Sequence, residues 1–248
     1  MILPSEHLGP KAASFAGDRH ASGAKRAIDV VLSTVGLIIL APVFAIMALA
    51  IRADSRGPVF YAQERVGLNR RRERASNGNG NGNGHGAQHR TMTAQDRRRS
   101  DWCGRPFRIY KFRSMVVDAE KNTGAVWASK NDTRITRLGT FLRKSRLDET
   151  PQLWNVLKGD MSLVGPRPER PTFVAELTKT LPDYPRRCEA LPGITGLAQV
   201  KWHYDTSVET VNRKLQYDLY YVHNRRLLLD LKIMAATVKV MAKGEGAH

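Results

Sequence analysis

The chain has 248 residues, enough for one domain of ordinary size with extra segments. Its 40 basic residues outweigh 23 acidic ones, a net charge of +17, which points to a polyanionic partner: nucleic acid, an anionic membrane surface or a phosphorylated substrate. The only cysteines, Cys103 and Cys188, stand in no metal-binding or redox spacing, which argues against a disulfide framework or a cysteine-based zinc site and fits a reducing compartment.

Residues 1–24 mix Gly, Ser, Ala and Pro without a sustained period and read as a flexible lead. No cleavable signal peptide is expected, because the apolar run starts late, its basic flank is short and no small-residue cleavage site follows. Residues 25–56 carry that run. From Val30 to Ile51, 22 residues pass without a charge. A straight helix of that length reaches about 33 Å, the thickness of a hydrocarbon core. Pro42, near its middle, removes a hydrogen bond and kinks or breaks a helix. Lys25 and Arg26 before the run, and Arg52 and Arg56 after it, draw both ends to the cytoplasmic side. A helix that breaks at Ala41–Pro42 and re-enters the same leaflet satisfies both features; a kinked spanning helix is the alternative.

The main folded domain is expected over 57–241. Gly57 to Asn69, GPVFYAQERVGLN, reads as a turn and a short strand ending in Gln63, Glu64 and Arg65. Residues 70–103 interrupt the domain. Within 70–99, eight Arg against two acids supply +6 of the +17, and the Asn-Gly repeats cannot build a core. A solvated linker is the expected role, with binding of anionic lipid headgroups as the alternative. His85 and His89 read as solvated side chains rather than a metal pair. FRIYKFRSM, ending at Met115, has strand composition, and Met115 to Lys121 should begin a helical segment. Lys111 and Arg113 then form either a phosphate-facing edge or the outer face of a half-buried strand. From Asp132 to Leu147, Ile135, Leu138, Phe141 and Leu142 recur at helical spacing, leaving Arg134, Arg137, Arg143 and Lys144 on other faces.

Asp148 and Glu149 follow directly. Pro151 suits the first turn of a helix over LWNVL, with Thr150 as its cap. The two carboxylates would lie beside a helix N-terminus, ionised near neutral pH and with a phosphate within reach. A solvated acidic cap is the plain alternative. In GPRP, Pro166 and Pro168 fix the backbone on both sides of Arg167 and aim one guanidinium, as bidentate phosphate recognition requires. Arg143, five residues before Asp148, can be brought to the same phosphate. Downstream, Pro171–Pro185 reads as a helix and Leu191–Trp202 as a compact β-rich insert. Val208–Tyr221 reads as an amphipathic helix. Leu227–Met241 forms a final helix suited to the membrane surface or to the core, and 242–248 a tail.

Adjacent carboxylates, several arginines, no Cys/His nucleophile pair and a membrane segment together point to phosphoryl chemistry on a lipid-linked substrate. A carboxylate can attack phosphorus. Arginines and a hard cation such as Mg²⁺ can neutralise the substrate. Neither a Walker A loop nor a Gly-rich dinucleotide turn occurs.

The stretch LDETPQLWNVLKGDMSLVGPRP, 147–168, resembles the core signature of the bacterial sugar transferases, the monotopic phosphoglycosyl transferases. The resemblance runs from about Lys25 to about Met241 outside the 70–103 insertion. It includes the P-x-x-x-x-Q-x-R-x-G block at Pro58, Gln63, Arg65 and Gly67, the KFRSM stretch and PGITGLAQ. It does not include the large N-terminal membrane domain of longer relatives. It implies a helix-dominated α/β domain on the cytoplasmic face of a bacterial membrane, with a re-entrant hairpin. The family usually places Ser before the hairpin proline, where Ala41 stands here, and a Trp where Asn224, Arg225 and Arg226 stand. The implied activity transfers a sugar-1-phosphate from a UDP-sugar to polyprenyl phosphate and releases UMP, the first membrane step of a surface glycan. Asp148 would be the nucleophile and Glu149 the Mg²⁺ ligand. Arg143 and Arg167 would hold phosphates, with Pro166 and Pro168 fixing Arg167. Gln63, Arg65, Lys111 and Arg113 would face the nucleotide and phosphates. No nucleic-acid module is recognisable and no nucleic-acid partner is expected. Two other readings stay open: a membrane glycosyltransferase that releases UDP, and a non-enzymatic basic scaffold or nucleic-acid binder.

Overall fold

The computed structural model describes residues 19–69, 103–121, 132–202 and 208–242. The bulk of the Arg-rich insertion, His85 and His89 included, lies outside the described residues, as do most of the lead and the end of the tail. The architecture is helix-dominated, with two small two-stranded sheets.

The apolar run forms helix α1, Arg19–Asp54, which continues through Pro42. The expected break at Ala41–Pro42 is thus not seen as an interruption of the helix. Proline forfeits one ladder bond, but the turns on either side are unbroken apolar residues with no loop-forming residue to end them. The helix is long and apolar enough to cross a membrane by length and composition. Ile38 and Leu49 are 69% and 73% exposed, so its outer face has no protein cover.

Its other face is tied down at both ends. Near the start, Lys25 donates to Asp230 at 2.7 Å, and Arg26 donates to the carbonyls of Val156 and Leu157 at 2.6 and 2.7 Å. Asp29 accepts from the Leu163 amide at 3.0 Å. Near the end, Arg113 donates to the carbonyls of Ser55 at 2.6 Å and Arg56 at 2.9 Å. Phe44, Met47 and Ile51 join Phe112 and Leu142 in one apolar cluster.

Strands β1 (Phe60–Val66) and β2 (Pro106–Phe112) pair antiparallel, with Lys111 opposite Tyr61 and Gln63 opposite Ile109. The insertion hangs from this hairpin. Its neck is closed by Gly67 N–H to Arg105 O at 2.9 Å and Arg105 N–H to Leu68 O at 3.2 Å. Just inside the neck, Cys103 is disulfide-bonded to Cys188. This corrects the expectation from cysteine spacing: the two residues are 85 apart in sequence, and they meet because the segment carrying Cys188 docks on the hairpin neck, where the Asn69 amide donates to Cys188 O at 2.8 Å.

Beyond β2, residues 117–121 form a turn with Asp118 in the left-handed region (φ 62°), not the start of a helix. Helix α2 (Arg137–Lys144) begins later than expected, because Asp132 binds Arg134 in a turn and Thr136 caps the helix. A 3₁₀ turn, Leu147–Glu149, leads into α3 (Gln152–Lys158). Pro151, not Thr150, is the residue at the N-cap of α3, and it offers no side-chain cap. Strand β3 (Ser162–Val164) pairs parallel with β4 (Gly193–Thr195), and the crossover carries α4 (Pro171–Thr180) and a 3₁₀ segment, Tyr184–Glu189. After β4 comes α5 (Leu197–Lys201), so this region holds one short strand and one short helix rather than a β-rich insert.

Helices α6 (Val208–Asn224) and α7 (Leu227–Ala242) complete the chain. Val211, Leu215 and Leu219 of α6 close a core over Val66, Val174 and Tyr184. In α7, Asp230 and Ile233 are buried, whereas Leu228, Leu231, Val238 and Met241 are exposed. One face of α7 therefore packs on the domain while another stays apolar and open.

Candidate active site

The site forms where the 3₁₀ turn meets β2 and the GPRP loop. Arg146 enters the turn in the left-handed region at φ 57°, an uncommon conformation for a residue with a side chain. Behind the turn, α3 is fastened to β2 by Asn155. Its side chain accepts from the Tyr110 amide at 3.1 Å and donates to the Arg108 carbonyl at 2.7 Å, filling the place of a neighbouring strand. Asp148 and Glu149 are thereby held, buried, beside Lys111.

The two carboxylates differ. Glu149 Oε1 accepts from Lys111 Nζ and from Arg167 Nη2, both at 2.6 Å, and Oε2 receives Arg167 Nη1 at 3.4 Å. Burial alone would raise its pKa, but Arg167 and Lys111 together hold it well below the usual value. Among the described residues, no hydrogen bond reaches the Asp148 carboxylate. Burial, and then the neighbouring charge of Glu149, push its pKa above the ordinary value against the pull of Lys111, Arg143 and Arg167. Adjacent carboxyl groups driven apart in this way are suited to different tasks. Glu149 is a fixed anion; Asp148 is a destabilised carboxylate with free lone pairs, ready to bond an electrophile or a cation.

The arginines sort by what they hold. Arg143 donates Nε to Ser114 Oγ at 3.0 Å, and Asp148 is the carboxylate that acts most on it. Arg167 reaches Glu149 yet keeps its side chain 40% exposed, so it can also face a ligand. Arg65 spends its donors inside the protein, on Gln63 Oε1 at 2.6 and 3.1 Å and on the Pro168 carbonyl at 3.0 Å. Gln63 also donates to Tyr61 Oη at 3.3 Å. Gln63 and Arg65 thus border the site as supports of the GPRP loop. Arg113 does not join: its guanidinium turns to the end of α1 and is buried there. Lys111 and Arg113 lie two apart, but the strand ends at Phe112 and its alternation ends with it. Pro166 and Pro168 are buried on either side of Arg167, and Ala41 and Pro42 lie away from this centre, on the exposed face of α1.

Sequence reading missed Asn155, Arg187 and Asp218. Asn155 is wholly buried within LWNVL, and a polar residue amid apolar ones on a short helix was its only signal. Arg187 and Asp218 pair at 2.7 Å, buried, 31 residues apart in sequence. Nothing local marks them.

Comparison with known proteins gives the chain its relatives. The bacterial sugar transferase family matches residues 20–75 and 87–244. A UDP-N-acetylgalactosamine-undecaprenyl-phosphate N-acetylgalactosaminephosphotransferase of Aeromonas hydrophila is 37% identical over 224 residues, 90% of this chain and 45% of that protein. A UDP-glucose:undecaprenyl-phosphate glucose-1-phosphate transferase of Klebsiella pneumoniae is 35% identical over 216 residues, 86% of this chain and 39% of that one. One of the same description from Caulobacter vibrioides is 34% identical over 226 residues, 90% of this chain and 72% of that one. The chain spans less than half the length of the first two and most of the third.

Proposed function

The chain belongs to the bacterial sugar transferase family, and on that premise we propose that it transfers a sugar-1-phosphate from a UDP-sugar to polyprenyl phosphate, releasing UMP. The observation that carries the reading is the division of labour between the paired carboxylates: Glu149 is locked by Lys111 and Arg167, while Asp148 is buried and unbonded among cationic side chains.

In the first step an Asp148 carboxylate oxygen attacks the β-phosphorus of the donor. The bond from that phosphorus to the bridging oxygen breaks, its electron pair leaves with UMP, and the sugar phosphate stays on Asp148 as an acyl phosphate. In the second, a phosphate oxygen of the lipid attacks the same phosphorus, and the Asp148 oxygen departs as carboxylate. Arg167 and Arg143 hold the phosphate oxygens as charge moves between them. Lys111 fixes Glu149 and adds positive potential.

Mg²⁺ suits this donor set. The described residues hold no cluster of three protein ligands for a metal, and Mg²⁺ is commonly held by one or two carboxylates plus substrate phosphates. Glu149, with Asp148 beside it, would hold the ion. When bound it would neutralise the diphosphate of the donor.

The same reading makes α1 re-entrant, with the domain on the cytoplasmic face. Ties at both ends of the helix to one domain support this, since a helix crossing the bilayer would carry one end to the far side. A domain seated at headgroup depth meets the phosphate of the acceptor without extracting its chain. The direct test of the covalent step is intact-mass analysis after incubation with UDP-sugar and Mg²⁺ but no lipid acceptor. A phosphosugar adduct lost in Asp148→Asn is expected; turnover without any adduct, in wild type and variant alike, would contradict it.

A further inference from the structure

Arg167 owes its aim to more than its two prolines. Four successive carbonyls of the loop each accept a hydrogen bond, two from β1, one from β4 and one from the 3₁₀ segment. Pro166 O accepts from the Gly193 amide at 2.9 Å, and Glu169 O from the Val66 amide at 2.9 Å. Pro168 O accepts from Arg65 at 3.0 Å, and Arg167 O from Arg187 Nη2 at 2.8 Å. The carbonyl of the clamp residue itself therefore rests on Arg187.

Arg187 is in turn over-determined. Its Nη2 donates to Asp218 at 2.7 Å, its Nη1 donates to Tyr184 Oη at 2.6 Å, and the guanidinium lies 4.9 Å from the Tyr184 ring centre. Its Nε is buried without a partner. A buried unpaired donor is costly, and here it accompanies an orientation that gives the other nitrogens to Arg167 O, Asp218 and Tyr184. If a salt bridge between the 3₁₀ segment and α6 were the whole role, no bond to the backbone of Arg167 would be needed.

We propose that Arg187, fixed by Asp218 and Tyr184, is a positioning residue that sets the Arg167 guanidinium for the diphosphate of the donor. The inference rests on the reading of Arg167 as the donor clamp. Arg187 is buried, and its Nη1 and Nη2 are spent on Tyr184, Arg167 O and Asp218, so its effect passes through Arg167 and falls on donor recognition.

The test is steady-state kinetics on the full chain in detergent, with donor and acceptor varied separately, beside the melting temperature of each variant. Arg187→Gln and Asp218→Asn are expected to raise the donor KM about tenfold, the scale of one misplaced charged hydrogen bond. The acceptor KM should stay unchanged. In an Arg167→Ala background, Arg187→Gln should have no further effect on donor KM. If Arg187→Gln does not fold, Tyr184→Phe, which removes only one anchor of the guanidinium, should still raise donor KM. A fall in Tm and active fraction with donor KM unchanged, or effects that add across the double variant, would overturn the positioning role. Donor KM unmoved in Arg167→Ala alone would instead overturn the clamp reading beneath it.

Discussion

Asp148 and Glu149 are neighbours on one buried 3₁₀ turn, yet Glu149 is bonded to Lys111 and Arg167 while Asp148 has no hydrogen-bond partner among the described residues. Their effects on stability should have opposite signs. The folded pKa of Glu149 is depressed, so its contribution is present above its unfolded value of about 4.3 and is lost as pH falls through the folded value. The folded pKa of Asp148 is raised, so its ionisation costs stability as pH rises from its unfolded value of about 3.9 through the folded one. At pH 7, Glu149→Gln should lose about 2 kcal/mol, below the usual range for a broken buried pair because Arg167 is partly exposed. Asp148→Asn should melt at or above the wild-type temperature. Both differences should shrink toward pH 3; melting curves between pH 3 and 8 check them.

Asp148→Asn should cut turnover on the order of 10⁴-fold or more, as removal of a nucleophile does, while still binding the donor. Because attack needs the ionised carboxylate and burial raises its pKa, the acid limb of kcat/KM should lie above the ordinary Asp range. Rate profiles from pH 4 to 8 would show it.

Lys111→Met removes one of the two cations on Glu149 and should lower kcat/KM by about tenfold to a hundredfold, with Lys111→Arg recovering part of it. Equal activity in Lys111→Met would mean that Arg167 alone suffices to fix Glu149.

Arg113→Met should act on the fold rather than the donor. It deprives the carbonyls at the end of α1 of their shared donor and should cost about 2–3 kcal/mol of stability, leaving the donor KM of the folded fraction unchanged. A raised donor KM would return Arg113 to the phosphate-binding set.

Single cysteines at Gly23 and Asp54, flanking the apolar run of α1, should both react with an impermeant thiol reagent applied to the cytoplasmic face of oriented vesicles. Labelling from opposite faces would make α1 a spanning helix.

The dyad, the basic residues around it and the two-proline mount of Arg167 were legible in the sequence because each lies within a short local pattern. Helices α4, α6 and α7 were legible too as helical segments; α5 was not, because the turn residues and short apolar runs of Leu191–Trp202 read as strand. Arg113 was misplaced because strand alternation was extended one residue beyond the end of β2. The disulfide and the Arg187–Asp218 pair were invisible because their members are far apart and neither carries a local signal. The unbroken course of α1 through Pro42 shows that one missing hydrogen bond does not end a helix whose flanks are all apolar.

The nucleotide released when the purified chain meets a panel of UDP-sugars, Mg²⁺ and undecaprenyl phosphate distinguishes phosphosugar transfer from sugar transfer. UMP release is expected, dependent on the lipid phosphate and absent with Asp148→Asn. Release of UDP would mean that the sugar–phosphate bond breaks instead, and would contradict phosphosugar transfer.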